Sequence, residues 1–189
     1  MINEWNKNMK EKFVLAWIVC LDESMSIWTN KWMCPGWVFC PRKPKPWSNE
    51  YHSICCGLSE IMFAIEMVKG KQRLPELDTD SKNKKTINLL LQLCISIYGA
   101  GKIVILDSGF CALEGLIALR KVSVFAGALI KKRRYWPKCV MGDKIDVCFT
   151  GKEVGSTDSW RGTLVDTQYD IFCMKEPDYV MKIMSTYGG

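Results

Sequence analysis

The sequence predicts an α/β fold, on three observations. Short apolar runs of strand length, rich in Val, Ile and aromatic residues, occur at 13–21, 102–106 and 125–130; two stretches with Leu and Ile at helical spacing follow 86 and 113; and turn residues separate them. With 189 residues the chain is long enough to bury one sizeable core with an extension, but not two full domains.

The first run, "FVLAWIVCL" at 13–21, predicts a buried strand that ends at Asp22 and Glu23. The next stretch carries four prolines and four tryptophans and predicts a loop with at most a short strand at 37–40, its last part basic and extended. Residues 52–68 carry strand-type side chains with Gly57 at the bend, and predict one long bent strand or a hairpin. The polar, charged segment 69–85 predicts a loop. "TINLLLQLCISI", 86–97, predicts a helix stopped by Gly99 and Gly101. A strand at 102–106 then delivers Asp107, and Leu113, Leu116, Ile117 and Arg120 predict a second helix before a strand at 125–130. From 135 onward, short alternating runs such as "DVCFT", "YDIFCMK" and "YVMKIMST" predict a small antiparallel β module.

Lys and Arg outnumber Asp and Glu by 26 to 20, a net charge of +6 that is compatible with a polyanionic partner without demanding one. Ten cysteines accompany an N-terminus without an apolar h-region, so the thiols are expected to be reduced. No C-x2-C pair supports zinc, and buried or half-buried thiols are the favoured reading. No apolar run approaches the roughly 18 residues of a membrane span, so a soluble, intracellular protein is expected. His52, the single histidine, has no nucleophile motif around it and is expected to be structural.

Asp22 and Asp107 are the candidate chemistry. Each is expected at the end of an apolar strand, and two hard oxygen ligands side by side are what Mg²⁺ takes, with water and phosphate oxygens completing its shell. In a two-metal site one ion activates the attacking hydroxyl and the other stabilises the leaving oxygen. The competing local readings are a helix cap for Asp107, before a helical pattern, and a turn residue for Asp22. Lys131, Lys132, Arg133 and Arg134 could grip phosphates, form a solvated face or act as an import signal. Arg42, Lys43 and Lys45 in "PRKPKPW" lie on a stiff segment suited to tracking a nucleic-acid backbone or to a rigid surface connection. Trp17, Trp28, Trp32, Trp37 and Trp47 could stack on bases, but more often such residues anchor cores and loops.

The blocks "IVCLDESMSIW", "CPRKPKPWSNEYHSICC", "KIVILDSGFCALEGLIALRKVSVFAGALIKKRRYWP" and "DIFCMKEPDYVMKIMSTYGG", in this order from about Trp5 onward, resemble the piggyBac family of DDD transposases. The resemblance implies a ribonuclease H-like mixed sheet flanked by helices over 1–134, with a small β-rich insertion-like region at 135–189. It further implies DNA as the partner, strand cleavage and transfer as the ancestral reaction, and Mg²⁺ or Mn²⁺ as cofactor. Asp22 in "LDES" and Asp107 in "ILDSGF" correspond to the first two catalytic aspartates. The third lies in a Gly-Gly-Val-Asp type motif, and Asp158, Asp166, Asp170, Glu176 and Asp178 lack that setting. The family's N-terminal region, remaining core helices and C-terminal zinc module have no counterpart here either. The expectation is a transposase-derived fragment, catalytically incomplete unless an oligomer or a longer transposase partner supplies the missing acid. It takes no small-molecule substrate and is nuclear; the alternative is a non-enzymatic DNA-binding or protein-interaction module.

Overall fold

The computed structural model describes residues 1–29, 37–41, 43–67, 84–131 and 142–188, and it divides into two compact units, Met1–Asp78 and Thr79–Gly189. The boundary expected at 134/135 lies inside the second unit.

The first unit opens with a helix that the sequence reading did not include, α1, Ile2–Lys12. Glu4 in its first turn and Lys10 and Lys12 in its last complement the helix dipole. Its half-buried residues are Ile2, Asn6 and Met9, spaced four and three apart on one face. Asn6 docks on strand β4 (Met62–Met67): its amide donates to the Ile65 carbonyl at 2.8 Å and its oxygen accepts the Ile65 N–H at 2.9 Å. A side-chain amide thereby satisfies a stretch of strand edge that would otherwise be left open.

The strand expected at 13–21 begins later and runs further. Residues 13–17 adopt no regular helix or strand, with Val14 and Trp17 exposed, and β1 spans Ile18–Ile27. The reason is its partner: β3, Trp47–Cys56, supplies an antiparallel residue for every position from Val19 to Ile27, so pairing carries on past the acid. Asp22 therefore stands mid-strand opposite Ser53, not at a strand end. β3 is central to this unit. β1 takes one of its edges, while β4 and the short β2 (Trp37–Phe39) share the other, all antiparallel. The expected bend at Gly57 is the β3–β4 hairpin turn. The Gly57 N–H reaches the Ile18 carbonyl at 2.9 Å, and a Cβ there would sit 2.9 Å from Ile18 Cγ2, so only glycine allows the approach.

In the second unit the mixed sheet runs β5 (Ile103–Leu106), β6 (Phe125–Leu129), β9 (Val180–Ser185), β8 (Thr167–Lys175), β7 (Thr157–Leu164), with β5 and β6 parallel and the other pairs antiparallel. Helix α3, Leu113–Lys121, makes the crossover that a parallel pair requires. Helix α2, Lys84–Cys94, packs on it at Gly115, where a Cβ would meet Leu90 Cδ1 at 3.0 Å. Leu90, Leu116, Leu119, Val104 and Ala126 are fully buried and form the core beside these elements.

One expected strand is a helix. "DVCFT" supplies the end of α4, Gly142–Cys148, and the residues just after it. Burial explains the change: Ile145 and Phe149, four apart, are buried while Asp146, Val147 and Cys148 between them are exposed, a helical rather than an alternating pattern. The other two runs form β8 and β9 as expected, and β9 pairs with β6 through Gly127 and Ser185, so the C-terminal strands extend the β5–β6 sheet. Thr186 fastens that junction, its hydroxyl accepting the Ala126 N–H at 3.0 Å.

Candidate functional site

Alternation along β1 puts Cys20, Asp22 and Ser24 on one face, across from Cys55, Ser53 and Tyr51 of β3. The opposite face carries Val19 and Leu21 against Ile54 and Cys56, all at most 3% exposed, so the strand is held by its apolar face and presents Asp22 on the other. The Asp22 carboxylate is exposed, and its Oδ1 accepts the N–H of Glu23 at 2.7 Å. Beside it Ser24 and Ser53 lie with their hydroxyl oxygens 3.4 Å apart.

Asp107 follows the last residue of β5 in the second unit. Its carbonyl accepts the Phe110 N–H at 3.0 Å, closing a tight turn over "DSGF", and its side chain is exposed. The helix-cap alternative is not what the structure contains: Ala112 occupies the N-cap position of α3, without a side-chain cap. The turn alternative for Asp22 is likewise replaced by a mid-strand position. Both residues are exposed, and among the described residues no ion pair engages either one. Carboxylate oxygen is the donor type a hard divalent cation takes, and among the described residues no group of three or more His, Cys, Asp or Glu side chains is gathered to hold one.

The basic candidates differ in setting. Lys43 is half-buried and ion-paired with Glu23, Nζ to Oε1 at 3.3 Å, so its charge is already shared with an acid on the strand that carries Asp22. Lys45 and Lys131 are exposed. Arg42, Lys132, Arg133 and Arg134 lie outside the described residues, as does Trp32. Trp37 and Trp47 stack on each other with centroids 4.6 Å apart, and Phe39 closes on Trp47 at 4.1 Å, so these aromatics pack together at the β2–β3 pairing. Trp17 and Trp28 are exposed. His52 is buried, with Nε2 3.2 Å from Glu50 Oε1.

Three thiols have settings that the sequence does not show. Cys20 and Cys55 oppose each other next to Asp22, a juxtaposition that only the β1–β3 register reveals. Cys56, at the hairpin turn, receives hydrogen bonds from the Ser59 hydroxyl and from the N–H groups of Ala16, Ser59 and Leu58, which lower its pKa from 9.0 to about 6. Donors converging on sulfur favour the thiolate. Among the described residues no helix is long and apolar enough to cross a membrane.

A search of curated proteins finds no match. Among solved structures, a piggyBac transposase synaptic complex with hairpin DNA superposes with a TM-score of 0.75 at 10% identity, covering 99% of this chain and 36% of that one. The likeness is one of fold, and this chain spans little more than a third of that protein's length. Endonuclease V of Ciona intestinalis, in complex with inosine-containing DNA, aligns at a TM-score of 0.38 and 13% identity over 97% of this chain and 81% of that one. A family model described as transposase IS4 matches residues 1–189, the whole sequence, and the chain therefore belongs to the transposase IS4 family.

Proposed function

We propose that this chain is a piggyBac-type, ribonuclease H-like region of a DNA transposase, in which Asp22 and Asp107 are two of the carboxylates that hold Mg²⁺ or Mn²⁺. The observation that carries the reading is the fold match to the piggyBac transposase complex over 99% of the chain, with both motif aspartates exposed on well-formed strand frameworks. A divalent ion bound there supplies Lewis-acid stabilisation of charge on phosphate and attacking oxygens. The protein's own contribution is to fix each carboxylate: the β1–β3 pairing and the Glu23 N–H orient Asp22, and the turn closed by Phe110 sets Asp107 at the end of β5. Lys45 and the basic positions Arg42, Lys131, Lys132, Arg133 and Arg134 are the proposed phosphate contacts, with Lys43 held back by Glu23, and the nucleus the proposed site of action. The motif match assigns two of the three family acids within these 189 residues, so the polypeptide is expected to bind metal and DNA and to need a further acid for strand cleavage and transfer.

The test is a Mn²⁺ titration of isotope-labelled protein followed by NMR, with nicking of a labelled hairpin DNA scored in the same samples. Paramagnetic broadening is expected at both the Glu23 and the Gly109 amides, lost in Asp22→Asn and in Asp107→Asn, without nicking by the wild type. Broadening at neither amide would overturn the metal reading; DNA affinity that persists in both variants would then identify a non-enzymatic binding module.

A further inference from the structure

We propose that Cys20 and Cys55 form an oxidant-responsive thiol pair that closes into a disulfide across β1 and β3, beside Asp22. The antiparallel register sets the two residues directly opposite each other, where Cα atoms lie about 4.5–5.5 Å apart, within the roughly 4.4–6.8 Å that a disulfide spans. Opposed residues of paired strands share a face, so both sulfurs project to the same side. Both are free thiols of graded access, Cys20 exposed and Cys55 half-buried. Access makes Cys20 the thiol that meets an oxidant and Cys55 the one that resolves it.

With hydrogen peroxide as oxidant the steps balance. The Cys20 thiolate takes one peroxide oxygen to become a sulfenic acid while the other leaves, with a proton, as water. Cys55 sulfur then attacks the Cys20 sulfur, the S–O bond breaks and a second water departs. Two thiols and one peroxide yield one disulfide and two waters. The bond joins the strands two residues from Asp22, and a thiol reductant reopens it. This inference stands apart from the metal reading, since it needs only the β1–β3 register.

The test is peroxide treatment of the purified chain, blocking of remaining thiols with N-ethylmaleimide, proteolysis and tandem mass spectrometry. The expected product links Cys20 to Cys55, two hydrogens lighter than the dithiol and reopened by dithiothreitol. Cys20→Ser should abolish the link. Cys55→Ser should leave a Cys20 sulfenic acid that dimedone traps. Because Cys56 shares the Cys55 peptide but faces the other side of the sheet, opposite Val19, Cys56→Ser should leave the link intact. A link that disappears in Cys56→Ser, a link from Cys20 to any other cysteine, or wild-type Cys20 oxidised while Cys55 remains alkylatable would overturn the proposal.

Discussion

Gly162→Ala tests whether the packing of the second unit is as tight as its register implies. Gly162 on β7 lies directly opposite Tyr169 on β8, and Tyr169 is only 2% exposed. A Cβ on residue 162 would fall onto the ring, in collision with Cζ and the phenol oxygen and 2.9 Å from Cε1. A buried ring cannot swing clear, and overpacking of this kind costs about 1–3 kcal/mol. The opposing gain, a less flexible unfolded chain, is about 0.4–1 kcal/mol. The clash wins by about 1–2 kcal/mol, which corresponds to a fall in melting temperature of about 2–8 °C for a chain of this length. Thermal and urea unfolding followed by circular dichroism measure it. A second background isolates the cause: in Tyr169→Leu the ring is gone, and the added methyl should be neutral or mildly stabilising. The cycle should therefore show a coupling of about 1–3 kcal/mol between the two positions. Gly162→Ala as stable as the wild type, or equally costly in both backgrounds, would refute the reasoning.

Lys43 is held by Glu23, so Glu23→Gln should release it to a phosphate. In fluorescence anisotropy with a labelled duplex, the variant should bind more tightly at low salt, and the plot of log affinity against log salt should steepen by about 0.9 for one added contact; an unchanged slope would mean that Lys43 does not face DNA. The Cys56 thiol should titrate with a midpoint of about 6, read as the difference in ultraviolet thiolate absorbance between wild type and Cys56→Ser. Its folded pKa lies below the ordinary 9.0, so the associated stability is fully present above pH 9, shrinks as pH falls and is gone below about 6. Urea midpoints of wild type relative to Cys56→Ser should therefore rise between those two values, and a flat difference would show that the turn donors do not hold a thiolate.

What could be read from the sequence was whatever local pattern decides. The buried runs at 103–106 and 125–130 and the helical spacing at 113, 116, 117 and 120 became β5, β6 and α3, because a parallel pair with its crossover helix is nearly continuous apolar sequence. What tertiary context decides was lost. The end of β1 could not be seen, because "ESMSI" extends only by virtue of its pairing with residues 48–52 of β3, and the apolar run 13–17 promised a strand where the chain simply leaves α1. Helix α1 escaped notice because nothing in it is buried and its chief tie is polar, through Asn6. For α4 the alternation in "DVCFT" was too short to distinguish a period of two from the four-residue step between Ile145 and Phe149. The site divided along the same line: both aspartates were evident as acids set against apolar runs, whereas the Glu23 claim on Lys43 and the opposition of Cys20 and Cys55 exist only once register is known.

The way each aspartate is held decides how its substitution should be read. Asp22 belongs to a strand paired along its length and anchored by Val19 and Leu21 on the opposite face, so the backbone under it does not depend on its own carboxylate. Asp107 contributes its carbonyl, not its side chain, to the turn that Phe110 closes, and the helix beyond it starts from Ala112 without a side-chain cap. Both side chains are exposed, and exchanging an exposed carboxylate for an amide of the same shape leaves stability within about 0.5 kcal/mol. Asp22→Asn and Asp107→Asn should thus melt with the wild type. Loss of Mn²⁺ response in proteins that melt alike would be a loss of ligand chemistry at those oxygens, whereas a lowered melting temperature in either variant would mean that the carboxylate is part of the framework and that the metal assignment rests on the wrong atoms.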